Sequence, residues 1–132
     1  MKAVLDHLVV NADDAERALA FYVDVLGLTP ERVEQWRAGE IVFPSVRLNA
    51  DTIIDILPPE LWTRPAAGRG ANVDHFCLCV DSADWEPLMT RVEKSGAEIE
   101  MGPTSLYGAH GQGMATYIKD SEGNRVELRH YP

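Results

Sequence analysis

The feature that most constrains this chain is a pattern written twice. The segment Leu5-Asp6-His7-Leu8-Val9-Val10 alternates like a half-buried strand, and Ala15, Ala18, Leu19, Tyr22 and Leu26 then recur at helical spacing. The same order returns in Asp74-His75-Phe76-Cys77-Leu78-Cys79-Val80, followed by Trp85, Leu88, Met89 and Val92. Asp-His opens both halves. His7 precedes Gly27 by 20 positions and His75 precedes Gly96 by 21, and each glycine is placed to stop a helix in the left-handed conformation. Asp13 with Glu16 three residues on has the form of a capping box, and Asp81 or Ser82 is the expected cap of the second helix.

After each helix the sequence reads as strands. They are expected at 32–36, 42–48 and 53–57 in the first half, and at 98–101, 115–119 and 125–128 in the second. Asn49-Ala50-Asp51 and Asp120-Ser121-Glu122-Gly123-Asn124 carry the chemistry of hairpin connections. Pro44 marks an edge or a bulge. Pro58, Pro59, Pro65, Gly68 and Gly70 read as a linker. The expectation is one α+β domain over residues 1–132, made of two βαβββ modules (1–57 and 74–130) joined through 58–73. Each module covers one sheet face with its helix and needs a partner for the other, so the pair should form a curved mixed sheet around a cleft.

Charge narrows the partners. Twelve basic against twenty-one acidic residues leave a formal charge of −9, which repels a phosphate backbone, so nucleic acid is not expected. The N-terminus turns polar too early for a signal peptide, and no run approaches the ~20 apolar residues of a membrane span. A cytoplasmic protein without a membrane partner is expected. Cys77 and Cys79 alternate on one strand, where a strain-free bridge is not expected; they read as small core residues.

Alternation also assigns the polar side chains. His7 shares a face with Leu5 and Val9, His75 with Cys77 and Cys79, Asp55 with Ile53 and Leu57, and Glu127 with Arg125 and Arg129. Each half thus has a histidine on its first strand and a carboxylate on its last, 48 and 52 residues apart. Burying such groups unanswered costs several kcal/mol, and packing of the two halves about a pseudo-twofold axis would bring all four together. Two imidazoles and a carboxylate suit one borderline divalent ion with positions left open for substrate, and iron, manganese, nickel and zinc all remain open. Asp55 is expected either as a fourth ligand or as a nearby general base. Tyr107 and His110, with Gly108, Gly111 and Gly113, read as a loop able to close over a ligand and supply a proton donor. Trp36 and Trp62 serve equally as pocket wall, dimer contact or core.

Taken together, Asp6 through Val10, Ala20-Phe21-Tyr22 through Leu26-Gly27-Leu28, Asp74-His75-Phe76, the segment from Gly102-Pro103 to Gly113, and Asp120 through Leu128 resemble the vicinal oxygen chelate superfamily of glyoxalases, extradiol dioxygenases and bleomycin-binding proteins. The resemblance implies His7, His75 and Glu127 as metal ligands and a paired βαβββ fold that is frequently homodimeric. It also implies a lyase, isomerase or dioxygenase acting on a small molecule chelated through two neighbouring oxygens. The alternative it carries is a non-catalytic protein that sequesters an antibiotic or another small ligand.

Overall fold

A computed structural model describes residues 5, 7–62, 75–108 and 110–132, with the side chains of Tyr107 and Gly108 outside the described part. Asp6, Asp74 and the linker positions Pro65, Gly68 and Gly70 also lie outside the described residues. The rest forms two units, one within residues 1–68 and the other within 69–132.

The first unit begins with β1 (His7–Asn11) and α1 (Ala15–Leu19), which continues as a π-helical segment, Ala20–Val25. Its cap is Asp14, whose carboxylate accepts from the Arg17 amide at 3.0 Å, and not Asp13. The shift follows from burial: Ala15, Ala18 and Leu19 are all buried, so the first helical position is Ala15. Glu16 makes no capping-box bond; it grips Arg37 through two bonds of 2.8 Å. That pair explains why the expected strand at 32–36 is instead a short helix, α2 (Val33–Arg37), tied back to α1 and braced by Glu34 to Arg37 at 3.0 Å. The Arg37 guanidinium holds the Glu16 carboxyl below its usual range.

The strands of this unit are β2 (Thr29–Glu31), β3 (Ser45–Arg47) and β4 (Ile53–Leu57), in the sheet order β1-β4-β3-β2. β1 runs parallel to β4, and the other pairs are antiparallel. β3 starts only after Pro44, which has no amide hydrogen to extend the ladder but whose carbonyl accepts from the Ile56 amide at 3.0 Å. Asn49 Oδ1 closes the β3–β4 turn by accepting from the Asp51 and Thr52 amides.

The second unit repeats this plan with its last three strands longer. β5 (Phe76–Cys79) leads to α3 (Ser82–Ser95), then β6 (Ile99–Gly108), β7 (Gly111–Lys119) and β8 (Arg125–His130), in the order β5-β8-β7-β6. Asp81 stands at the N-cap position of α3 without a side-chain capping bond, and Gly96 ends the helix at φ 73°, as Gly27 does for the first helix at φ 78°. Trp85, Leu88, Met89 and Val92 from α3, with Ile118, Val126 and Leu128, supply buried core. The segment expected as a closing loop is a hairpin whose ladder runs out to Gly108 opposite Gly111. Gly113 serves packing there, because a Cβ would lie 2.7 Å from the His130 carbonyl oxygen. Among the described residues no helix is long and apolar enough to cross a membrane.

Asp120 organises the β7–β8 turn. It is buried, and its Oδ1 accepts from the Glu122 and Asn124 amides while Oδ2 accepts from Asn124 Nδ2. Replacing it strands those donors, so Asp120→Ala should lower unfolding free energy by about 1–3 kcal/mol in urea denaturation.

Candidate functional site

Period-two alternation puts Val126 and Leu128 in the core of the second unit and turns Glu127 to the opposite sheet face with Arg125 and Arg129. Parallel pairing sets Cys77 beside Glu127, and antiparallel pairing sets Tyr117 on its other side. His75 lies two residues before Cys77, so it belongs to the same face. The structure brings these side chains together: His75 Nε2 is 3.2 Å from Glu127 Oε2, and Tyr117 meets the His75 ring edge-on at 5.0 Å.

Glu127 is buried, only 5% exposed. Its second oxygen, Oε1, accepts from Arg129 Nη1 at 3.2 Å, while Arg129 Nη2 donates to the Leu106 carbonyl at 2.8 Å. The Arg129 guanidinium stacks 4.8 Å over the Tyr131 ring. Desolvation and the Glu127 carboxylate beside it push the Cys77 thiol up to about 12, although the residue as a whole is exposed. The same two causes raise the Tyr117 phenol. Further out, Glu100 pairs with Lys119 at 3.1 Å and with Arg125 at 2.6 Å, and these cations hold its carboxyl below the usual range.

The first unit carries the corresponding positions with different chemistry. Asp55 pairs with Val9 on β1 and Ser45 on β3, the same places in the ladder that Glu127 has opposite Cys77 and Tyr117. Asp55 is 8% exposed, and its Oδ1 accepts from the Ser45 hydroxyl at 2.6 Å. Ser45 in turn accepts from Arg32 Nη2 at 3.3 Å. Arg32 holds φ 59° and lies 4.9 Å over the Phe43 ring.

Both histidines were expected among buried neighbours, and here the structure differs. His7 is exposed and His75 is half-buried. The reason is position: β1 and β5 are the end strands of their sheets, and Val9, Cys77 and Cys79 on the same faces are exposed too. Cys77 and Cys79 are therefore not core residues. His110 is at the tip of the β6–β7 hairpin; its amide donates to the Tyr131 hydroxyl at 3.0 Å and its ring meets Tyr131 edge-on at 5.3 Å. Tyr107 pairs with Gln112 in that hairpin, its side chain being outside the described part. Trp62 Nε1 donates to the Leu57 carbonyl at 2.8 Å. Arg129 and Tyr117 were not singled out from sequence; alternation gave the face of Arg129 but not what it would hold.

An imidazole nitrogen and a carboxylate oxygen 3.2 Å apart have the separation of two donors that share an ion at about 2.0–2.2 Å from each. The residues present therefore fit a divalent metal as two of its ligands. Among the described residues, no group of three or more His, Cys, Asp or Glu side chains is gathered that could hold one.

The chain belongs to the Glyoxalase/Bleomycin resistance protein/Dioxygenase superfamily, whose pattern matches residues 4–128. Its α+β plan of two four-stranded mixed sheets is that of solved glyoxalase-like structures. A virulence protein of Salmonella typhimurium is 27% identical over 127 residues, which cover 96% of this chain and 83% of that protein. Its crystal structure matches with a TM-score of 0.74 over 100% of this chain and 99% of the other. The glutathione transferase FosA of Serratia marcescens is 26% identical over 94% of this chain and 78% of its own length. A glyoxalase/dioxygenase from Nostoc punctiforme shares the fold at a TM-score of 0.77 and 19% identity, covering 98% of this chain and 91% of that one.

The bond between Ser45 and Asp55 gives a stability test separate from any metal. Ser45→Ala leaves a buried carboxylate oxygen without its donor and should cost about 1–3 kcal/mol in urea unfolding. Metal content, measured on the same sample, should stay at the wild-type value.

Proposed function

We propose that the chain is a divalent-metal-dependent enzyme of the glyoxalase–dioxygenase type, acting on a small oxygen-rich molecule bound through two neighbouring oxygens. The observation that carries this reading is the His75–Glu127 pair, an imidazole 3.2 Å from a carboxylate that folding has buried. His75 and Glu127 would hold the ion, and His7, the counterpart of His75 in the first module, is the proposed third ligand. Bound there, such an ion would supply Lewis acidity, or oxygen chemistry if it is iron or manganese.

The chain's own groups set the rest. Glu127 Oε2 can take a proton from a bound substrate and return it, while Tyr117 keeps the His75 ring in place through its edge contact. Asp55, whose Oδ1 is engaged by Ser45, anchors the first sheet, and its other oxygen, Oδ2, is the one proposed for a fourth-ligand or general-base role. The names of two relatives, a glutathione transferase and a probable lactoylglutathione lyase of Synechocystis, support small-molecule chemistry of the lyase or transferase kind. A homodimer is part of the proposal, supported by the exposed apolar side chains Leu5, Val9, Ile99 and Met101 on or beside the strands. So is a cytoplasmic setting, supported by the free thiols of Cys77 and Cys79.

Elemental analysis of protein purified without a metal-binding tag tests this directly. Near one equivalent of divalent metal per chain is expected, falling to background in His75→Ala and in Glu127→Ala while circular dichroism stays that of the wild type. His7→Ala should weaken retention as well. Wild-type occupancy in both the His75 and Glu127 variants would overturn the reading.

A further inference from the structure

We infer that Arg129 sets the charge of this centre so that it favours a doubly anionic oxygen ligand over a singly charged one. The inference rests on the reading that His75 and Glu127 hold a divalent ion. Counting the charges on this sheet face gives its basis. A divalent ion with one carboxylate and neutral imidazoles carries a net charge of about +1, the figure expected from Glu127 alone. Arg129 changes that sum. Its guanidinium is always protonated, its side chain is 5% exposed, and its Nη1 lies 3.2 Å from Glu127 Oε1.

Arg129 therefore cancels the carboxylate before any ion arrives, and it does so away from water, where screening is weak. The ion is left with close to its full double charge. Of the Lys119 and Arg125 cations, both partly exposed and both paired with Glu100, that one carboxylate offsets one charge, and the charge left over is screened by water and adds little to the sum. The second Arg129 bond, to the Leu106 carbonyl, and its stacking on Tyr131 keep the charge in this position. A ligand that binds through two neighbouring oxygens and neutralises such an ion is a dianion, such as a dicarboxylate or a doubly deprotonated diol. In this role Arg129 is a specificity-determining residue that acts through Glu127 and need not touch the substrate.

The probes are cobalt(II) alone, then oxalate and glycolate, which form the same five-membered chelate but differ by one charge at neutral pH. Visible absorption of cobalt-loaded full-length protein follows each titration. The wild type should bind oxalate more tightly than glycolate. The oxalate-to-glycolate affinity ratio should fall about tenfold or more in Arg129→Gln, which keeps a donor for Glu127 but removes the charge, and in Arg129→Met. Arg129→Lys, which keeps the charge, should hold the wild-type ratio. A ratio unchanged within twofold in the neutral variants overturns the inference, and so does equal binding of the two anions by the wild type, a result that stands even if the neutral variants do not fold. Parallel cobalt titrations of His75→Ala and Glu127→Ala separate the two levels. If those variants bind cobalt as the wild type does, the metal reading has failed and the inference falls with it; if they lose cobalt while the ratio ignores Arg129, only the inference fails.

Discussion

A carboxylate withdrawn from water has to be answered by charge or by hydrogen bonds, and the organisation of the second sheet follows from how Glu127 is answered. One oxygen faces the Arg129 guanidinium and the other faces His75. Neither contact is an accident of the surface. Arg129 is on the same strand two residues on, and His75 approaches from the residue that leads into the strand paired in parallel, so the ladder that builds the sheet also builds the cluster. Tyr117 reaches the same carboxylate from the antiparallel neighbour. Three strands thus contribute to one buried charge, and a shift of any one of them alters its electrostatic setting.

The first module shows what one methylene changes. Asp55 occupies the corresponding place in the ladder, but its shorter arm is met by Ser45, which Arg32 backs from further away. An arginine is present in both modules. In the first it acts through a hydroxyl at 3.3 Å, and in the second it contacts the carboxylate itself. The duplicated frame has therefore kept a carboxylate twice while giving each a different set of neighbours.

Much of this was legible in the sequence, for identifiable reasons. Strand β4 falls where alternation placed it, and both helix-ending glycines take positive φ, because period-two patterning and left-handed stops are local properties. Pairing of β8 with Glu127 turned away from the core likewise follows from parity. Helix α2 was not legible, since a five-residue stretch satisfies either period and its deciding bond, Arg37 to Glu16, spans 21 residues. The hairpin around Gly111 and Gly113 was read as a loop because glycine signals mobility and close packing alike; only the nearness of the His130 carbonyl separates them. The same limit applies to the site. Alternation put Glu127 and Arg129 on one face, but which groups Arg129 would bond depended on where the β6 backbone passes.

The placement of strands within the second sheet has a mechanical consequence. β8 has hydrogen-bonded neighbours on both sides, β5 and β7, whereas β5 ends the sheet order. The carboxylate is mounted on a beam fixed along both edges, and the imidazole on the residue just before one fixed along a single edge. A clamp built this way has an anvil and an arm: in the proposed metal site, ions of different radius would be accommodated by travel of the histidine, while the acid would define where the centre is.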